Sequence, residues 1–216
     1  MRRMLNVLLV ALIAATAAFA GTGFSSVKGK SETYSLNNAV GKNGITFHSV
    51  MPVEEIHGTA DEVTGRFQLD PTNLEMTKGE FTVQVTSMKT AIAKRDEHMY
   101  SSTWLDAEKY PTISAIFKSL TNVKATMQDG RYVATAKAVG TFTMHGVTKP
   151  LTADVVITWV PASAESAKRA PGNLALITAN FTVALADFGV QGKGDVIGTK
   201  VGKTIDVKTN FFANVQ

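Results

Sequence analysis

The chain has 216 residues, 44% hydrophobic and 19% charged: too apolar for a disordered segment and sized for one domain. It contains no cysteine, which excludes disulfides, thiolate metal sites, a cysteine nucleophile and a lipidated N-terminal cysteine. The formal charge is +4, and the first twenty residues hold two of the basic groups and no acidic one, so the remainder carries +2. That is too little to argue for a nucleic acid or an anionic membrane surface as partner.

Arg2 and Arg3 supply a positive start, Met4 to Phe19 is apolar apart from Asn6 and Thr16, and Ala18-Phe19-Ala20 has the A-x-A form of a cleavage site. This pattern predicts a secretory signal peptide over 1–20. An uncleaved anchor is the competing reading, but the run is short and Ala-rich for a spanning helix. No later segment is long enough to span. Residues 21–30 are small and polar and predict a flexible arm, followed by a folded domain over 31–216.

From there the recurring signal is alternation with period two. Phe81, Val83 and Val85 share one face, with Thr82 and Gln84 on the other. Leu151, Ala153, Val155, Ile157 and Trp159 form a longer run of the same kind. So do Ile177, Ala179, Phe181, Val183 and Leu185, and then Ile205, Val207, Thr209 and Phe211. Shorter candidates are 33–37, 45–50, 65–69, 112–118 and 123–127, and the run 131–144 is long enough that Gly140 is expected to bend it. Asp129-Gly130 is a tight hairpin signal. About nine strands with turns between them predict an antiparallel all-β fold, a closed barrel or a sandwich. Strands near ten residues favour a barrel with a deep interior.

Residues 91–105 lack alternation and predict a short helix plus an irregular loop, with the next strand starting near Pro111. Residues 161–173 predict a flexible excursion, and the glycine-rich 187–203 a turn or bulge segment. A membrane-spanning barrel needs two aromatic girdles, and two Trp with four Tyr are too few to build them.

The chemistry-bearing residues are sparse. The four histidines, His48, His57, His98 and His145, show no i, i+4 pair and no H-E-x-x-H. Two could converge in space, but no metal site is expected. Ser101, Ser102, His98 and Asp106 lack a nucleophile elbow and read as helix caps. The segment 187–203 has no phosphate-loop motif. Arg95, Asp96 and His98 form the most concentrated polar group. They read as a cluster pinning a helix over a barrel end or as a head-group site.

These residues also carry a resemblance. Thr90 to Met99 (TAIAKRDEHM), Trp104-Leu105-Asp106, Glu108-Lys109-Tyr110-Pro111 and Gly140 to Pro150 (GTFTMHGVTKP) resemble the signature of the YceI family. Leu69-Asp70-Pro71 and Asp187-Phe188-Gly189-Val190 match as well. Asn37 and Ala186 depart from it, standing where many members carry Asp and Arg.

The resemblance implies a lipocalin-like, extended antiparallel β-barrel of about eight strands. It also implies a periplasmic protein that binds an isoprenoid lipid, an isoprenoid quinone or a similar long-chain amphiphile without covalent attachment. No common enzymatic activity and no resident cofactor are implied, and a homodimer is a partner seen in some members. Combined with the alternation, it makes Phe81, Val83, Val85, Met99, Trp104, Phe117, Phe142, Met144 and Phe188 the expected ligand-lining residues. Arg95, Asp96, His98 and His145 are the expected head-group contacts. An enzyme acting on such a lipid, with His98 or His145 as acid or base, and a barrel filled by its own side chains are the alternatives.

Overall fold

The computed structural model describes residues 22–25, 27–52, 54–128 and 131–216. The signal segment expected over 1–20 and the Asp129-Gly130 turn lie outside the described residues. The strands are β1 (Glu32–Leu36), β2 (Gly44–Val50), β3 (Glu55–Ala60), β4 (Val63–Leu69), β5 (Lys78–Gln84), β6 (Thr112–Gln128), β7 (Arg131–Met144), β8 (Val147–Val160), β9 (Leu174–Ala184) and β10 (Thr204–Val215), with helix α1 at Ala93–Tyr100.

Eight of these strands close a barrel in the order β1-β4-β5-β6-β7-β8-β9-β10. β10 returns to β1 through Tyr34↔Val215, Ser35↔Asn214 and Leu36↔Ala213. The opposite half of the same β10 edge pairs with β2, from Asp206↔His48 to Asn210↔Gly44. The β2–β3 hairpin therefore extends the wall at one end. Every pairing between these strands is antiparallel, so the alternation can sort water outside from apolar groups inside. On β8, Leu151, Ala153, Val155, Ile157 and Trp159 are buried and Thr152, Asp154 and Val156 are exposed.

The structure has one strand more than the sequence predicts among the described residues. β3 escaped notice because its inward positions include Gly58 and Ala60, which leave little apolar signal. A Cβ on Gly58 would fall 2.0 Å from the Phe47 ring, which lies across it from the paired position on β2. Gly140 marks a similar close approach. It pairs with Phe117 where the β6–β7 register shifts, and a Cβ there would meet the Ile116 carbonyl oxygen at 2.0 Å. β7 nevertheless runs as one strand, with the bulge taken up by β6.

The end of the barrel remote from α1 is plugged by aromatics. Trp159 Nε1 donates to Tyr34 Oη at 2.8 Å, and Tyr34 stacks on Phe67 at 5.1 Å between centroids. Phe24 packs on Tyr132 and Trp159. This corrects the expected arm at its centre: Phe24 is buried, its N–H donates to the Pro71 carbonyl, and the Thr22 carbonyl accepts from Leu74 N–H. A single large aromatic in a polar run is enough to dock it. The 161–173 excursion is tied down too. Ser163 and Ser166 bond each other's backbone and side chains, Arg169 Nη1 donates to the Val40 carbonyl at 3.0 Å, and Ala170 is buried.

Candidate functional site

Above the aromatic plug the barrel encloses a cavity of about 610 Å³, within the range of sites that bury a small organic ligand. Its walls come from alternate residues of most strands. Ile177, Ala179, Phe181, Val183 and Leu185 supply one side, and Ile205, Val207, Thr209 and Phe211 the next. The small residues Ala115, Ala138 and Ala179 keep the bore open. The lid is built from α1, the following loop through Leu105, and the glycine-rich 189–203 segment.

Seven of the nine expected ligand-lining residues reach this cavity: Phe81, Val83, Met99, Trp104, Phe117, Phe142 and Met144. Val85 and Phe188 do not line it. Val85 leaves β5 and enters a 3-10 turn (Val85–Ser87), which ends the strand alternation and turns the side chain into the packing beneath the lid. Phe188 closes another 3-10 turn (Leu185–Phe188) and stands behind the wall, its ring edge-on to Phe142 at 5.5 Å and 87°.

The expected head-group residues separate into two kinds. Arg95 and His98 line the cavity. Asp96 does not: it is buried, and its Oδ1 accepts the Thr90 N–H at 2.7 Å and the Thr90 hydroxyl. Arg95 Nε donates to Thr90 Oγ1 at 2.9 Å and Nη2 to the Thr90 carbonyl at 3.0 Å, while Nη1 sits 3.6 Å from Glu54 Oε1. This network ties the start of α1 to the strand-like segment before it and to the β2–β3 hairpin. Asp96→Ala would orphan the Thr90 donors, so a loss of about 1–3 kcal/mol is expected. Urea denaturation checks it, and an unchanged midpoint would contradict a pinning role.

His145 is misplaced by the sequence reading. With Gly146 it forms the two-residue turn between Met144 and Val147, at φ 51° and 75°, the positive values such a tight hairpin requires. Its ring is held outside the cavity, with Nδ1 3.0 Å from the Phe188 carbonyl oxygen and Tyr110 edge-on at 5.0 Å.

Several lining residues that sequence reasoning did not name lie on loops and on β2–β3. Lys193 and Lys200, from the glycine-rich segment, reach the cavity with Val190, Val196 and Val201. Neither lysine has an ion-pair partner among the described residues. Phe47, Ser49 and Ile56 line the hairpin side. The alternation of Phe47 and Ser49 in 45–50 was a usable signal; the lysines carried none.

A closed antiparallel barrel with a long apolar interior and a polar lid defines the lipocalin-like class of all-β proteins. The YceI-like domain model matches residues 34–213, and the chain belongs to that family. A UPF0312 protein of Pseudomonas putida is 36% identical over 139 residues, 64% of this chain and 66% of the relative. The chain thus spans just under two thirds of that relative's length. A UPF0312 protein of Pseudomonas syringae pv. syringae is 33% identical over 158 residues, 72% of each chain. Among solved structures, Burkholderia cenocepacia BcnA superposes with a TM-score of 0.63 at 16% identity, covering 83% of this chain and 99% of its own. A polyisoprenoid-binding domain from Saccharophagus degradans gives 0.56 at 13% identity, covering 85% and 98%.

Proposed function

We propose that this protein is exported to the periplasm and holds one long-chain apolar molecule, an isoprenoid lipid or isoprenoid quinone, non-covalently in the barrel. The observation that carries the reading is the cavity: about 610 Å³, walled by apolar side chains and closed at its base by aromatics. The fold shared with a polyisoprenoid-binding domain supports it. A tail of ~20 buried carbons at ~0.8 kcal/mol per methylene supplies about 16 kcal/mol of gross driving force, much of it offset by association and ordering costs. Such a ligand needs little polar recognition. Lys193, Lys200, Arg95 and His98 stand where its head group would emerge, a setting that favours a polar or anionic end.

Binding rather than catalysis fits this geometry. The enzyme alternative gives His98 or His145 the part of acid or base, and His145 is turned away from the cavity that His98 lines. Protein purified from its own periplasm should carry a lipid mass in native mass spectrometry, identified by solvent extraction. Ligand-free protein from that source, with no isoprenoid taken up on addition, would overturn the reading. The same material should begin at Gly21 on N-terminal sequencing. A mature form retaining Met1 in the membrane fraction would contradict export with cleavage after Ala20.

A further inference from the structure

On the outer face of the β2–β3 hairpin, His48 and His57 are directly opposed in the antiparallel ladder. Glu55 lies two residues before His57 and so shares its face. Glu55 Oε2 is 3.5 Å from His48 Nε2 and 3.4 Å from His57 Nε2. All three donor atoms lie within 4.8 Å of one another, and the imidazoles stack at 4.0 Å and 17°. His48 Nε2 is sealed from water and has no hydrogen-bond partner, an unfavourable state for a ring nitrogen that could accept or donate.

We propose that His48, His57 and Glu55 form a zinc-binding site on the outside of the barrel. Ligand atoms ~2.0–2.2 Å from a tetrahedral ion stand about 3.3–3.6 Å apart, which is the spacing of the carboxylate oxygen from both ring nitrogens. Two imidazoles and one carboxylate suit a borderline cation such as Zn²⁺, whereas Mg²⁺ and Ca²⁺ require mostly oxygen donors. Closure tilts the stacked rings so that both lone pairs converge. His57, with 71% of its side chain exposed, is free to make that movement, and the open side leaves water as a fourth ligand. Asp206 stands opposite His48 on β10, its Oδ1 accepting from Thr182 Oγ1 at 2.7 Å, and adds negative charge to the same row.

The site is independent of the cavity, since Phe47, Ser49 and Ile56 on the reverse face are the residues that line the interior. An ion there would clip β2 to β3 on the outer surface.

Isothermal titration of the metal-stripped, untagged protein with ZnCl₂ tests the proposal. One ion per chain is expected, with MgCl₂ giving no heat of binding. His57→Ala, at an exposed position that keeps the fold, should weaken Zn²⁺ at least ~10–100-fold, the loss that even outer partners of a metal site produce. Glu55→Gln should weaken it as well, while His145→Asn, at the β7–β8 turn outside the cavity, should bind as the parent does. No saturable Zn²⁺ binding, or equal binding by the parent and His57→Ala, would overturn the site.

Discussion

Val83→Trp and Met144→Trp, made singly, are each expected to leave the barrel folded and to strip it of co-purifying lipid. Val83 pairs with Ile113 across β5–β6, and Met144 follows Thr143, the partner of Ser114 across β6–β7. Both therefore stand at one level, just beneath the lid, and both line the cavity. In a filled core an added indole forces neighbours off their rotamers at about 1–3 kcal/mol. Here the adjoining cavity of about 610 Å³ can take the ring, so circular dichroism should stay that of the parent. A tail running the length of the cavity would pass this level, and its burial supplies most of the affinity. The loss should thus be near complete, and lipid extraction followed by mass spectrometry reads it. Full occupancy in both variants would show that the tail lies elsewhere. Ligand and fold should also support each other, so the delipidated parent should melt lower than the loaded one.

The largest stability effect is expected at the other end. Trp159 is buried, donates to Tyr34 and packs on Phe24 and Tyr132. Trp159→Ala should cost about 3–5 kcal/mol, read as a fall in the urea midpoint, because three aromatic partners lose contact at once. A shift under ~1 kcal/mol would mean that the plug is not a unit.

The same cluster sets an alkaline limit. Burial pushes the Tyr34 phenol from 10.0 up to about 12, with Glu32 adding to the rise and the Trp159 hydrogen bond opposing it. The folded barrel keeps a proton that the unfolded chain releases near pH 10. Its contribution is therefore fully present below pH 10 and is lost as pH rises through about 12, on the order of 2–3 kcal/mol. Lys89 is also raised, chiefly by its hydrogen bond to Tyr100. Tyr34→Phe should flatten part of the stability slope between pH 10 and 12, measured by urea titration. An unaltered slope would show that the phenol is not buried in solution.

The all-β class, a short helix within 91–105 and the strand faces that bring Phe81, Val83, Phe117, Phe142 and Met144 to the cavity wall were legible in the chain because alternation is a local property. Phe142 and Met144 share a face in any strand, and a barrel in water leaves one direction for that face. Val85 and Phe188 failed where the strand gave way to a 3-10 turn: period two stops carrying information once the backbone leaves the extended region. His145 failed for a related reason, since a two-residue hairpin turn re-aims its side chain.

The sequence by itself determined the alternating faces, the helical interruption and the absence of thiol chemistry. Only the tertiary structure decided that Phe24 caps the barrel base, that Lys193 and Lys200 reach the cavity, and that His48 meets His57. Each of these is a contact between segments whose register is set by ladder pairing and closure of the whole sheet, so no window of sequence contains it.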